Sequence, residues 1–413
     1  MRMTFNRSSQ LLLVSAASLL AAGLLSACGT LTVDYVYVTS ALAAGPNSYG
    51  EIDVFEVNSE SGKMRTIPTS PFLSGGRNPV AEAVSTDHSS LFVVNKDDNT
   101  IVRFVIGHDG KLYPNQTVNT PGIYPMAVTV AGSYLIVADQ FQPLATCSNA
   151  APCSGSVGVF PIGSGNVLGS EVGNSAAGGN YWPLTLTSNS SHVITPTAIT
   201  SSSSGAYVYI TAYDATSGGG YIFGFSVGSN GTLTALSGSP WAAGTKPSGL
   251  AASPDGAYLY VTDASTASVL AYSISSGVLT PVSGSPFNAG NGPSAVAISS
   301  SGKFVYVTNS SDSNLTAYSA SNGVLTALGS YTTGSQPVAI GIDPSLSEYL
   351  YTVNYQGPSV TGFQINSSTG SLLNSQGSPF GTNAQPTAVA AIPHGSACTT
   401  ISATTTSVTL AMR

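Results

Sequence analysis

One short phrase dominates the pattern of apolar and polar residues along the chain. In each copy aromatic and apolar residues alternate, and the copy ends in a small polar residue or in Asn or Asp. Seven copies occupy residues 35–40, 91–95, 134–139, 207–212, 258–263, 304–309 and 349–354. Alternation with a period of two predicts β-strands, and its recurrence along the chain predicts a repeat architecture.

A second repeated element begins with Pro and continues with small or apolar residues. Its copies occupy residues 79–84, 125–128, 196–199, 247–250, 293–298, 337–342 and 386–391. Six of them precede a copy of the phrase. The first phrase has no Pro element before it, and the last Pro element, 386–391, has no phrase after it.

Two further strand-like runs joined by a turn follow each phrase, which gives four strands per unit. The phrase starts are 46 residues apart from Tyr258 to Phe304 and 45 apart from Phe304 to Tyr349. This period predicts an all-β, seven-bladed β-propeller with four-stranded antiparallel blades. We expect residues 386–391 to pair with the blade that starts at Tyr35, because this closes the ring and removes open strand edges.

Three sequence motifs connect the repeat to a known family. They are the phrase itself, the Ser-Pro-Asp-Gly turn at 253–256 and the Gly-Ser-Pro-Phe run at 284–287. The chain resembles the lactonase-like seven-bladed propellers over about residues 34–395. That group includes bacterial YVTN-repeat surface proteins and 6-phosphogluconolactonases of the propeller type. These motifs belong to the scaffold, so the resemblance implies the fold more directly than the activity.

The first residues read as an export signal. Arg2 and Arg7 precede an apolar run at 11–25, and residues 25–28, Leu-Ser-Ala-Cys, resemble a bacterial lipobox. We expect a signal peptide at 1–27, a lipid on Cys28 and a short tether at 28–33. The protein is then anchored in the cell envelope, at the outer membrane of a cell with two membranes. We also expect residues 396–413 to form a C-terminal tail.

The composition narrows the choice of partners. Only 7% of residues are charged and the formal net charge is −7, whereas charged residues usually make up about 25%. Eleven Lys and Arg residues are too few for a nucleic-acid surface. We expect a monomer without a cofactor. Its partners would be the membrane, through Cys28, and an envelope protein or a small carbohydrate-like ligand.

The cysteines predict one local crosslink. Cys147 and Cys153 lie six residues apart, and in an exported chain such a pair predicts a disulfide. No further ligands lie near them in the sequence, so no metal site is predicted. Cys398 is left as a free thiol in the tail or as an intermolecular bridge.

Long loops are expected on one face of the propeller. We call the face where inner strands begin and second strands end the top face. Insertions follow Ser40, Asp139, Val172 and Ala212, and all four are predicted to lie there. With Tyr181 and Trp182 they would form a ligand-binding face. Alternatively, the insertions are tolerated surface loops without a function.

Four residues are candidates for catalysis. Glu82 is a carboxylate at a position that is apolar in the other blades, where the residues are Val128, Ile199, Leu250, Val296, Ile340 and Val389. It would act as a base, with Arg77 and Lys246 holding an oxyanion or carboxylate. His192 would be a second acid–base group, because His88, His108 and His394 fall on bottom-face turns. The alternative for Glu82 is a structural ion pair or a side chain in channel water.

Polar residues end five of the phrases and are expected to form a ring at the top of the second strands. They are Asn95, Asp139, Asp263, Asn309 and Asn354. Such side chains cap turns by accepting from local backbone donors. A contact with a ligand on the top face is the second interpretation.

Two functions compete at this point. The favoured prediction is a lipid-anchored binding scaffold that uses its top-face loops. The alternative is a lactonase, similar to 6-phosphogluconolactonase, that hydrolyses a sugar lactone. The resemblance implies His, Arg and Glu together on one face in lactone-cleaving members, and no positions of this sequence match that set. With 11 basic residues a phosphate pocket is hard to assemble, and whether the protein is an enzyme stays open.

Overall fold

The computed structural model describes residues 32–41, 48–186, 191–344, 348–383 and 385–393. The predictions for Cys28, Cys398, His394, the signal peptide and the tail fall outside these residues. Within the described ranges the backbone forms seven antiparallel sheets and one short 3-10 helix, Ser164–Asn166. No helix in this part of the chain is long and apolar enough to cross a bilayer.

Each sheet is one blade, and its strands follow one another from the central channel outwards. Blade 1 contains β1 (Thr32–Ser40), β2 (Glu51–Asn58), β3 (Met64–Thr66) and β4 (Phe72–Leu73). Blade 2 contains β5 (Pro79–Val84), β6 (Ser90–Asn95), β7 (Thr100–Ile106) and β8 (Leu112–Asn119). Blade 3 contains β9 (Ile123–Ala131), β10 (Tyr134–Phe141), β11 (Ser156–Pro161) and β12 (Trp182–Pro183).

The remaining blades repeat this order. Blade 4 contains β13 (Ile194–Ser201), β14 (Tyr207–Asp214), β15 (Gly220–Val227), β16 (Leu233–Ala235) and β17 (Trp241–Ala242). Blade 5 contains β18 (Pro247–Ala252), β19 (Tyr258–Asp263), β20 (Ser268–Ser275), β21 (Val278–Pro281) and β22 (Phe287–Asn288). Blade 6 contains β23 (Pro293–Ile298), β24 (Phe304–Asn309), β25 (Asn314–Ser321) and β26 (Val324–Thr332). Blade 7 contains β27 (Pro337–Ile342), β28 (Tyr349–Asn354), β29 (Ser359–Ile365), β30 (Leu372–Asn374) and β31 (Phe380–Gly381).

The last described strand, β32 (Pro386–Pro393), closes the ring. It pairs antiparallel with β1, with Val389 opposite Val38, and so becomes the inner strand of blade 1. Each inner strand also contacts the inner strands of both neighbouring blades. The predicted seven-bladed fold and its closure are confirmed.

Tyr residues of the repeated phrase form hydrogen bonds between neighbouring blades. The hydroxyls of Tyr37, Tyr209 and Tyr306 each donate to a glycine carbonyl in the next blade, at 3.1, 3.0 and 3.0 Å. All three side chains are buried. The acceptor for Tyr209 is Gly277, which has φ +84°, and a Cβ there would lie 2.7 Å from the ring of Tyr207. The phrase and the outer turn of the next blade therefore form one packing unit.

One insertion lies differently from its prediction. The stretch around Val172 does not run unbroken over the top face, because β12 divides it. Residues 162–181 lead from β11 to β12, and Asn166 Nδ2 donates to Asp87 Oδ1 at 2.9 Å in a bottom turn of blade 2. The carbonyl of Tyr181 accepts from Asn174 within this same stretch, at 3.0 Å. The part of this segment around Asn166 therefore packs against the bottom of blade 2.

Trp182 is a core residue and not part of an exposed top face. It is 7% exposed and pairs with Val157 on the third strand of blade 3. Trp241 in blade 4 and Phe287 in blade 5 occupy the same position, and both are followed along the chain by the next blade. An aromatic side chain at this position buries apolar surface of the third strand, and in blade 3 that side chain is Trp182.

Candidate functional site

The top end of the channel is bordered by residues at two fixed positions in each blade. One immediately precedes the Pro of an inner strand, and the other follows the last residue of a phrase. Lys96 N donates to Asn78 O at 3.0 Å and Tyr355 N donates to Gln336 O at 2.9 Å, so the two positions lie side by side. We call the Asn, Gln, Lys and Tyr residues at these positions the channel rim. They are Asn78, Lys96, Tyr124, Gln140, Tyr213, Lys246, Gln336, Tyr355 and Gln385.

Four rim residues adopt the left-handed backbone conformation although they are not glycine. Asn78 and Tyr124 have φ +55°, and Gln336 and Gln385 have φ +56°. Gly292 has φ +64° at the same position in blade 6. This conformation is uncommon for side chains other than Gly, Asn and Asp. Because this conformation recurs in different blades, we attribute it to the turn that leads into each inner strand.

The rim carries two Lys–Tyr pairs. Lys96 Nζ lies 6.0 Å from the centre of the Tyr124 ring, and Lys246 Nζ lies 5.8 Å from that of Tyr213. Between blades 2 and 3 the Lys follows a phrase and the Tyr precedes a Pro, whereas between blades 4 and 5 the order is reversed. Both distances fit cation–π interactions. Burial lowers the pKa of Lys96, although the nearby charge of Asp97 offsets part of this effect.

His192 forms a pair with Asp214 above blade 4. The second strand of this blade continues two residues past Ala212, and Asp214 Oδ2 lies 2.5 Å from His192 Nδ1. The Asp214 side chain is fully buried. Burial alone would raise its pKa, but hydrogen bonds from Ser217, Thr216 and His192 hold the pKa at about 2. A buried, ionised carboxylate therefore fixes the orientation of the imidazole ring.

This pair is close along the chain to the second Lys–Tyr pair. Tyr213 immediately precedes Asp214 on β14, and its ring faces Lys246 from the start of blade 5. Two of the four predicted catalytic residues, His192 and Lys246, are thus connected through neighbouring residues of one strand. Successive side chains of a strand point to opposite faces, so the two pairs lie on either side of the end of β14.

Glu82 lies in a different environment. The strand register places it opposite Val93, as Leu250 lies opposite Val261 and Val296 opposite Val307, so the comparison between blades holds. Both of its carboxylate oxygens are buried and have no hydrogen-bond partner among the described residues.

The surroundings of Glu82 disfavour its ionised form. Burial raises its pKa well above the usual value, and the nearby backbone of Ala390, which forms no regular hydrogen bond with the carboxylate, offsets this only in part. Burial therefore favours the protonated, neutral form of Glu82 in the folded protein.

Arg77 does not meet Glu82. Its Nε donates to Asp98 Oδ1 at 2.6 Å and its backbone N donates to Asp98 Oδ2 at 2.7 Å. The side chain is 37% exposed. Arg77 is thus held at the outer edge of the rim of blade 2 by the loop after β6, and the expected pairing of Arg77 with Glu82 is absent from the described structure.

The residues that end the phrases are buried beneath the rim. The side chains of Asn95, Asp139, Asp263, Asn309 and Asn354 are all fully buried. Asp263 accepts from the backbone N of Thr245 at 2.7 Å and of Lys246 at 3.1 Å. A buried phrase-ending side chain such as Asp263 thus holds the loop that carries a rim residue.

Asp139 stands out among the buried phrase-ending residues. Burial raises its pKa to about 8, and bonds from Gly122 and Thr120 offset only part of this effect.

A disulfide crosslinks the top loop of blade 3. Cys147 and Cys153 are joined with an S–S distance of 2.05 Å, as predicted from their spacing. Asn149, within the closed loop, donates from Nδ2 to the Tyr124 hydroxyl at 3.3 Å. The crosslinked loop therefore reaches the channel rim. Among the residues that the structure describes, no group of three His, Cys, Asp or Glu side chains could hold a metal ion.

Sequence comparison establishes the family. The family described as "Lactonase, 7-bladed beta-propeller" matches residues 34–159 and 279–389, which is more than half of the chain. The chain belongs to the seven-bladed lactonase propellers. No curated protein sequence matches it.

Solved structures of other lactonase propellers share the fold at low sequence identity. A protein provisionally called a 6-phosphogluconolactonase, from Bacteroides fragilis, has a TM-score of 0.70 and 20% identity, covering 87% of this chain and 98% of its own. A second protein of that provisional name, from Bacteroides uniformis, has a TM-score of 0.68 and 20% identity over 87% and 100%. The periplasmic gluconolactonase of Pseudomonas aeruginosa has a TM-score of 0.68 and 18% identity over 87% and 99%.

These comparisons change the balance between the two predicted functions. They give no support to the lipid-anchored binding scaffold. The alternative, a lactonase, agrees better with the matched family and with the names of the similar structures. Sequence reasoning also missed Lys96, Tyr124 and Tyr213. The signal was present, since each flanks a Pro element or a phrase end, but at these positions only Lys246 was given a chemical role.

Proposed function

We propose that this protein hydrolyses an uncharged sugar lactone at the top of the channel, with His192 as the general base. The observation that carries the proposal is the contact of 2.5 Å between His192 Nδ1 and the buried carboxylate of Asp214. A carboxylate that fixes one imidazole nitrogen sets the tautomer and orientation of the ring. The other ring nitrogen then accepts a proton from water.

The reaction needs few groups. His192 takes a proton from a water molecule, and the resulting hydroxide attacks the lactone carbonyl. The tetrahedral oxyanion needs a cation or hydrogen-bond donor, and Lys246, whose partner Tyr213 adjoins Asp214 on β14, is the candidate. The ring C–O bond then breaks, the leaving alkoxide takes the proton from His192, and the product is an open hydroxy acid.

An uncharged substrate fits the charges of the rim better than a phosphorylated one. A phosphate group calls for two or more basic side chains that converge on it. Arg77 is paired with Asp98. Lys96 and Lys246 belong to different blade junctions. Each junction therefore offers one Lys, and the Arg beside Lys96 is already paired with Asp98, so the described residues form no phosphate clamp.

The test is hydrolysis of matched sugar δ-lactones with and without a phosphate group, measured as acid release above the spontaneous rate. We expect the uncharged lactones to be hydrolysed and His192→Gln to reduce kcat by about a hundredfold or more. Equal rates for wild type and His192→Gln would refute the role of His192. A preference for the phosphorylated lactones would refute the substrate class.

We also propose that the enzyme works in the cell envelope, anchored through Cys28. The support is the order of positive residues, apolar run and lipobox-like Leu-Ser-Ala-Cys at 25–28. Metabolic labelling with a fatty acid in a bacterial host checks this proposal. Label should enter the wild-type chain and be absent from Cys28→Ser.

A further inference from the structure

We infer that a second site, a top-face cleft between blades 2 and 3, binds an uncharged saccharide. The cleft has a volume of about 580 Å³, within the range of roughly 300–1,000 Å³ that is usual for small-molecule sites. Its lining residues are Arg77, Asn78, Lys96, Asp97, Tyr124, Gln140 and Asn149. It lies at a different blade junction from Lys246, and the inference does not rest on lactone hydrolysis.

The charges in and around the cleft balance one another. Arg77 pairs with Asp98 at 2.5 Å. Asn78 Nδ2 donates to Asp97 Oδ1 at 3.2 Å, and Lys96 faces the ring of Tyr124. Two cations and two carboxylates thus leave no net charge to attract a phosphate or a carboxylate. An uncharged ligand enters without separating these pairs.

Tyr124, in the wall of the cleft, is held by contacts on several sides. Its backbone N donates to Asn99 Oδ1 at 2.7 Å, and its ring meets Phe141 edge-on at 6.0 Å between centroids. Its hydroxyl accepts from Asn149. A fixed aromatic ring loses little conformational freedom when a ligand packs on it, which favours binding of a sugar ring.

The other lining groups match sugar hydroxyls. The amides of Asn78, Gln140 and Asn149 each present a carbonyl acceptor and an NH₂ donor. A hydroxyl group also donates and accepts, so vicinal hydroxyls of a saccharide can pair with such amides in both directions. The disulfide between Cys147 and Cys153 limits the freedom of the loop that carries Asn149, which lowers the entropy lost on binding.

The experiment is titration calorimetry of the purified protein with uncharged mono- and disaccharides, and with gluconate and inorganic phosphate as anionic probes. We expect at least one uncharged saccharide to bind. Asn149→Ala and Tyr124→Phe should each raise its Kd by about threefold to tenfold, the effect of losing one hydrogen bond. The matched control is Gln336→Ala, at the rim position of blade 7 that corresponds to Tyr124, and it should leave the Kd unchanged.

Three results would overturn the inference. They are the absence of binding by every uncharged saccharide, tighter binding of gluconate or phosphate than of any uncharged saccharide, and an equal loss of affinity in all three variants. His192→Gln separates this site from the proposed catalytic one. Saccharide binding that survives in His192→Gln supports an independent site, and binding that disappears with it counts against one.

Discussion

The Nδ1 atom of His192 lies 2.5 Å from Oδ2 of Asp214, whose side chain is fully buried on the second strand of blade 4. In five other blades the phrase ends at a buried Asn or Asp, but here the strand runs on and places the carboxylate higher, where the loop before blade 4 brings His192 to meet it. The contact thus depends on a local extension of the repeat.

Asp214→Asn should impair catalysis more than folding. The amide cannot stabilise the imidazolium that forms when His192 takes a proton, so we expect kcat for lactone hydrolysis to fall by roughly tenfold or more. The control is Asp312→Asn, because Asp312 accepts from Asn291 N at 2.7 Å in a top loop of blade 6 and has no His partner. Steady-state kinetics checks this, and equal losses in both variants would argue for a structural effect.

Glu82→Gln should retain hydrolysis and stabilise the protein. Burial favours the protonated carboxyl in the folded state, so the folded chain loses stability as pH rises above the unfolded pKa of about 4.3. The amide does not titrate and avoids this loss. Denaturant unfolding at neutral pH compares it with the exposed Glu60→Gln. Lost hydrolysis in Glu82→Gln alone would reinstate Glu82 as the base.

Asp34 should make stability fall with rising pH. It is fully buried, faces Asp343, Glu348 and Tyr351, and burial together with the Asp343 charge raises its pKa to about 8. The folded state therefore holds a proton that the unfolded chain releases near pH 4. The contribution of Asp34 to the free energy of unfolding is therefore complete below about pH 4 and is lost as pH rises towards 8.

Asp34→Asn isolates this contribution. A difference of one pKa unit between the folded and unfolded states corresponds to about 1.4 kcal/mol, so the free energy of unfolding should fall by a few kcal/mol. Denaturant unfolding across this pH range should give a flatter profile for Asp34→Asn than for the wild type. Parallel profiles would mean that the Asp34 carboxyl ionises normally in the folded protein.

Tyr209→Phe should destabilise the contact between blades 4 and 5. The hydroxyl donates to Gly277 O at 3.0 Å from a fully buried ring. Its loss leaves a buried carbonyl without this donor, and we expect about 1 kcal/mol less free energy of unfolding. Tyr113→Phe is the control, because Tyr113 is 53% exposed. Denaturant titration measures both variants, and equal stabilities would show that the bond contributes nothing.

Parts of the candidate site could be predicted from sequence because they depend on position within the repeat. Comparison of blades singled out Glu82 as the carboxylate among apolar residues, and the register confirms that alignment. It could not show that both carboxylate oxygens are buried without a hydrogen-bond partner among the described residues. Arg77 is five residues from Glu82, yet it pairs with Asp98 from the next loop, and such partners are fixed only when loops fold against each other.

The sequence by itself determined the number of blades, their strand order, the closure by the last Pro element and the disulfide. These follow from a periodic pattern or from local spacing, and each copy of the phrase must bury the same face. Only the tertiary structure decided which polar residues meet. His192 and Asp214, Lys96 and Tyr124, and Asn149 and Tyr124 come from different strands and loops, and their contacts depend on loop paths for which the repeat has no rule.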